Sequence, residues 1–424
     1  MNYRKVLFTL GASAILLAAC GNNEKESEEK SSGKIELGET EETSEVDGAL
    51  AELRAALEER EPSDESVVQD DSEVLNPNIA EMTEGDVEVL YTNKAPGYVH
   101  DMDGFVVTID EYQITKVSDV NRDSEYLFKG SLEGYVVTAL ATYENKRSNP
   151  VYYSGYTSLS IDDRLGVVHG DKFSLVPREE VLNSEDLANR NKYLPGVKKQ
   201  DFISFIMTSE QYKKMKKTDP KFTIGRGASE REDMLEDFPE DAIYDFIYSA
   251  KNAESVAAGP TFYRDDLTRR NMADKTMIFE KNDIGQKLEL GSVGVTLEGV
   301  QYTKIEPADQ YQYIFGSFAD DRIVALTVKL TIDNKSDETL SLSSIRSTLS
   351  VDDNEYKYSN HGSLEPERLR TLKPGESGEK YHVFLLEKSQ FDNHKKFELL
   401  FGPFVGEDGK KLFDESNVLF TLPR

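Results

Sequence analysis

The chain has 424 residues, of which 38% are hydrophobic and 10% aromatic, enough for two or three folded domains with real cores. Its net charge of -29 argues against nucleic acid as a partner, because phosphate binding needs clustered Lys and Arg. The single cysteine, Cys20, leaves no intrachain disulfide and no CxxC metal or redox site.

Residues 1–19 have the parts of an export signal: Arg4 and Lys5, then the short apolar run "VLFTLGASAILLAA". Leu17-Ala18-Ala19-Cys20 follows, and this stretch resembles the bacterial lipobox. That resemblance implies cleavage between Ala19 and Cys20 and lipidation of the Cys20 sulfur. The mature chain is then expected on the outer face of the cell membrane, held by its N-terminal lipid.

Residues 20–84 read as an acidic tether. Between Glu24 and Glu73 there are 19 acidic and 5 basic residues, about half of the net charge in 50 positions. Within the tether, Val46, Leu50, Leu53 and Leu57 fall on one helical face, which predicts a short helix over 46–59. An isolated helix of that length is marginal in water, and a partner-binding helix is the alternative.

Beyond the tether the chain repeats itself. "VVTIDEYQITKV" at 106–117 returns as "GVTLEGVQYTKI" at 294–305, and "YVVTALATYENK" at 135–146 returns as "VALTVKLTIDNK" at 324–335. "SLSID" (158–162), "SLVPRE" (174–179) and "LPG" (194–196) answer to "TLSVD" (348–352), "SLEPER" (363–368) and "KPG" (373–375) in the same order. A repeat of about 190 residues is a duplicated domain, since solenoid repeats are far shorter.

Both copies alternate with period two. Val137, Ala139, Ala141 and Tyr143 match Leu326, Val328, Leu330 and Ile332, with Thr at many intervening positions, the pattern of a strand buried on one face. Further alternation at 202–207 and 381–386, with runs at 221–224 and 397–401, predicts mainly β sandwiches. In the repeated phrase the alternation slips at Asp110-Glu111 and again at Glu298-Gly299, which predicts a bulge in each copy. The first sandwich is set at 85–226, an acidic linker at 227–242, and the second at 243–424. Ile243, Phe246, Ile247 and Ala250 predict a helix leading into the second domain.

A strand ending in N-K, a strand reading S-L-S-I-D-D or T-L-S-V-D-D, and P-G before a hydrophobic strand together resemble the immunoglobulin-like extracellular domains of Gram-positive lipoproteins. Lipobox, acidic tether and two such domains are similar to the YcdA-like lipoproteins. The resemblance spans roughly residues 85–424 and implies two tandem immunoglobulin-like domains. Only Cys20 transfers from it as a functional position.

The chemistry-bearing residues offer little. His100, His169, His361, His382 and His394 lack HxH or HxxxH spacing, so no zinc site is legible and no cofactor is expected. Asp162-Asp163 and Asp352-Asp353 recur at one point of both copies; they are weak candidates for a calcium site and stronger ones for a hairpin turn. "KKMKK" at 213–217 reads as a solvated edge, with anionic lipid or wall polymer as alternative. Tyr152, Tyr153 and Tyr156 offer a stacking patch, although alternation turns Tyr152 and Tyr153 to opposite faces.

These readings predict a non-enzymatic surface protein that binds a protein or cell-envelope partner through its duplicated domains. A solute-binding lipoprotein serving a transporter is the alternative, against which stands the missing strand-helix alternation of that class. An envelope hydrolase is a third reading, with no G-x-S-x-G, S-x-x-K or phosphate-loop motif to support it.

Overall fold

A computed structural model describes residues 73–162, 166–176, 191–234, 238, 240–316, 318, 323–353, 355–366, 371–413 and 417–424. The signal segment, Ala19, Cys20, the predicted helix at 46–59 and Asp163 lie outside the described residues. Those described all belong to one compact unit, Val67–Arg424.

The chain is mainly β, and its strands write one topology twice. The first copy runs β1 (Asp86–Asn93), β2 (Tyr98–Met102), β3 (Phe105–Ser118), β4 (Gly134–Asn145), β5 (Val151–Tyr152), β6 (Thr157–Asp162), β7 (Gly166–His169), β8 (Lys192–Tyr193), β9 (Lys198–Met207), β10 (Lys221–Ile224) and β11 (Ala242–Asp245). The second runs β12 (Ala273–Lys281), β13 (Gln286–Leu290), β14 (Val293–Pro307), β15 (Ile323–Asn334), β16 (Leu340–Ser341), β17 (Ser347–Val351), β18 (Tyr356–Ser359), β19 (Thr371–Leu372), β20 (Ser377–Glu387), β21 (Phe397–Phe401) and β22 (Val418–Leu422). In the first, β1-β3-β4-β9 with β2 beside β3 faces β11-β10-β6-β7; in the second, β12-β14-β15-β20 with β13 beside β14 faces β22-β21-β17-β18. Small ribbons, β5-β8 and β16-β19, close one side of each.

The period-two pattern does what it predicts. Val137, Ala139, Ala141 and Tyr143 are wholly buried, as are Leu326, Val328, Leu330 and Ile332, and each set meets the opposite sheet in its own core. The slips are bulges at the expected positions: register jumps between Ile109 and Glu111 and between Leu297 and Gly299. An extra residue there restores inward-facing side chains on either side of the bend.

The shared N-K ends are also explained. Asn145 donates through Nδ2 to the carbonyls of Asn149 (2.9 Å) and Tyr193 (2.8 Å), and Asn334 to those of Glu338 (2.8 Å) and Leu372 (2.9 Å). Each buried amide ties the end of its strand to the small ribbon and to the turn that follows it. The shared Q and T of the repeated phrase are equally structural. Gln113 accepts from the Leu75 N–H (2.8 Å) and donates to the Glu73 carbonyl (3.1 Å), while Gln301 accepts from the Tyr263 N–H (2.6 Å) and donates to the Thr261 carbonyl (2.9 Å). A side-chain amide thus pairs with the backbone of the entering segment as a neighbouring strand would. Thr115 and Thr303 then donate to the carbonyls of Val136 and Ala325.

These clamps correct the predicted boundaries. Residues 73–84, assigned to the tether, are folded: Asn76, Ile79 and Thr83 are fully buried, and Asn78–Thr83 is a short helix laid on the outer face of the first sheet. The predicted leading helix is wrong at its start. Residues 242–245 form β11, paired with β10, and Phe246 belongs to the first core. Four apolar residues at helical spacing fit a strand followed by a turn as well, and pairing with β10 decides between them. The helix comes later, at Ala250–Ala258, and none of its residues is buried. The linker at 227–242 begins inside the first sandwich, where Ala228 and Ser229 are buried and Ser229 exchanges two backbone hydrogen bonds with Tyr152.

Candidate functional site

Each copy carries a projection between its third and fourth strands. In the first copy a short 3-10 helix, Glu125–Phe128, ends on Phe128; in the second, the helical turn Gln312–Phe315 ends on Phe315. Both phenylalanines are buried against the outer face of their sheet, in the same small cluster as the covering segment. Two residues earlier stand Tyr126 and Tyr313, which are 69% and 79% exposed. Tyr-Leu-Phe and Tyr-Ile-Phe are therefore one device built twice, an aromatic held out in solvent by a buried aromatic anchor. Shifts of one and two residues in the repeat offset on either side of these turns hide the correspondence in the sequence.

The tyrosine trio divides. Tyr153 is core, its hydroxyl donating to the Gly225 carbonyl (2.8 Å), and Tyr152 is half-buried. Tyr156 is 45% exposed and lines an open cleft of about 360 Å³ with Ser154, Arg226, Gly227, Met234 and Asp241. Asp241 also reaches the second copy: its carbonyl accepts from Arg269 (3.2 Å), and its carboxylate lies 3.9 Å from Arg270. Asn271 adds a hydrogen bond to the Asp219 carbonyl (2.9 Å), so polar contacts fill this junction of the two sandwiches.

The acidic pairs separate as well. Asp162 ends β6, and Asp352 and Asp353 form the β17-β18 turn, both with left-handed backbone (φ 43 and 59) that Asp tolerates better than most residues. Asp353 pairs with Lys396. Asp352 instead meets His394, with 2.8 Å between Oδ2 and Nδ1, and its Oδ1 accepts from the backbone N–H of Lys396 (2.9 Å) and Lys395 (3.3 Å). Those hydrogen bonds, Lys396 first, hold the Asp352 carboxyl below the ordinary carboxylate range. Glu355 stands beside them, and the donor atoms of Asp352, Glu355 and His394 all lie within 4.8 Å of one another. The separation of Asp352 from His394 in sequence hid this grouping.

The other histidines are dispersed. His100 is buried against the Glu240 carbonyl, and burial pushes it below its ordinary value. His169 packs beside Tyr156, and His361 is lowered by burial. His382 is wholly buried in the second core, and burial lowers it to about 3. In "KKMKK", Met215 is core and ends a helix, Ser209–Met215, that opens on a capping box of Thr208 and Gln211. The run is a helix terminus with lysines on its solvent side.

Fold and projections define a pair of tandem β sandwiches with a repeated exposed aromatic. Residues 63–249 match the family model described as "Domain of unknown function (DUF5068)", a stretch that encloses the first copy through β11. The chain is similar to a functionally unknown protein from Listeria monocytogenes EGD-e, with 16% identity over 40% of this chain and 91% of that one and a TM-score of 0.34. It is also similar to an uncharacterised β-sandwich protein from Clostridium difficile 630 (14% identity, 35% of this chain, 100% of that one, TM-score 0.23). A conserved hypothetical protein from Bacillus anthracis matches at 17% identity over 29% of this chain and 92% of its own, with a TM-score of 0.23. No curated protein matches the chain.

Proposed function

We propose that this is a non-enzymatic, exported lipoprotein of the YcdA-like kind, anchored through lipidated Cys20 on the outer face of the cell membrane, whose two sandwiches grip one protein or cell-envelope partner. The observation that carries the binding role is the duplicated projection, with Tyr126 and Tyr313 exposed at 69% and 79% above buried Phe128 and Phe315. Exposed tyrosines beside buried anchors supply amphipathic contact area with few rotatable bonds to order. Two such contacts on one chain raise avidity through effective concentration, without new chemistry in either. The acidic tether holds both copies away from the lipid surface. Cross-linking on intact cells tests the role: one macromolecule recovered repeatedly by the wild-type chain, and lost on replacing both tyrosines by Ala, supports it, while recovery of no consistent partner contradicts it.

A further inference from the structure

We propose that Asp352, Glu355 and His394 bind one divalent transition-metal cation of the zinc class. Their donor atoms all lie within 4.8 Å of one another, so small side-chain rotations, above all of exposed Glu355, bring all three onto one ion at Zn–N and Zn–O lengths of about 2.0–2.2 Å. The donor set is mixed. An imidazole beside two carboxylates suits zinc and its neighbours, whereas calcium takes about six to eight oxygens.

Asp352 and His394 are held in place before any ion arrives. Asp352 Oδ1 is occupied by the backbone N–H groups of Lys395 and Lys396, which leaves Oδ2 aimed at the imidazole 2.8 Å away. The Tyr356 ring packs against the imidazole, with 4.9 Å between ring centroids. The Glu355 carboxylate has no hydrogen bond or ion pair among the described residues, and its backbone N–H donates to the Asp352 carbonyl (3.3 Å). Two carboxylates brought this close repel, and a shared cation relieves that repulsion. Lys396 Nζ turns instead to Asp353 and to Glu398 (3.2 Å). Aligning "QYKKMKK" with "QFDNHKK" puts Met215, fully buried, where His394 stands, so the donor set is particular to the second copy. The site lies at the β17-β18 turn, where Glu355 is exposed, which leaves coordination positions for water.

The test is calorimetric titration of tag-free full-length chain with zinc chloride, beside His394→Ala, Glu355→Ala and Asp353→Asn. Carboxylates of the tether bind zinc equally in all four proteins and drop out of the comparison. The wild type is expected to show one saturable site above that background, weakened more than about tenfold in both His394→Ala and Glu355→Ala and unchanged in Asp353→Asn. Glu355 is exposed, so its replacement leaves the fold alone. Absence of a saturable site in the wild type, or wild-type affinity retained by either ligand variant, overturns the proposal.

Discussion

The Lys275 ammonium lies 2.5 Å from Asp265 Oδ2, and neither side chain has any exposed surface. Thr327 donates to the same oxygen (2.9 Å), the Leu267 N–H caps Oδ1 (3.1 Å), and the Phe262 ring covers Nζ at 4.8 Å. The first copy solves the same position without charge: Val87 stands for Lys275, Pro77 for Asp265 and Thr138 for Thr327. Lys275→Ala is expected to destabilise the second sandwich by about 3–5 kcal/mol, because it strands a buried carboxylate. The double variant Lys275→Val with Asp265→Ala, which removes both charges, is expected to lose less than the single one. Denaturant unfolding of the three proteins checks this; a double variant at least as unstable as Lys275→Ala contradicts it.

His382 gives a pH-dependent prediction. Its position in the second core is filled by Ile203 in the first, and both ring nitrogens lack a partner among the described residues. Burial, the largest influence, lowers its folded value to about 3 from 6.5. The unfolded chain therefore binds a proton here that the folded chain refuses between those limits, so stability falls as pH drops below about 6.5. Near pH 5 the loss from this group is about 2 kcal/mol. His382→Ile is expected to remove that increment and to fill the core as Ile203 does. Melting curves at pH 7.5 and pH 5 for both proteins decide the matter, and equal pH slopes contradict the account.

Gln113 and Gln301 each satisfy two backbone groups of the segment that enters their sandwich. Replacing either by Ala is expected to cost about 1 kcal/mol, since it removes hydrogen bonds to part-buried backbone groups. Amide exchange reports where. Gln113→Ala should deprotect Leu75 and the residues around it, and Gln301→Ala those around Tyr263, each without effect on the other copy. Protection unchanged at both segments contradicts the clamp.

Much of the fold is legible in the sequence because strand burial follows a period of two, and a duplication shows that period twice. The bulges are legible for the same reason, as a slip in phase. Boundaries are less so. Asn76 and Ile79 stand at the end of a run too acidic to suggest a core, and the amide that captures the segment, Gln113, is some forty positions away. The strand at Ala242–Asp245 hides in a helical spacing because four residues are too few to establish a period. The grouping of Asp352, Glu355 and His394 is not legible for a different reason: Asp352 and Glu355 are local, but His394 arrives only through the pairing of β17 with β21.

The anchor is tested separately. Cys20→Ala is expected to move the protein from the membrane fraction to the medium, because the short apolar run alone is too short to span a bilayer. Full retention of the variant in washed membranes contradicts lipid anchoring.

Quantitative cross-linking on intact cells shows whether two copies grip one partner through the repeated aromatic. Wild type is compared with Tyr126→Ala, Tyr313→Ala and the double variant at matched surface levels. Both side chains are solvent-exposed, so folding is unaffected. Partial loss of the recovered partner is expected in each single variant, and greater loss in the double variant than in either. Equal recovery from the double variant and the wild type contradicts it.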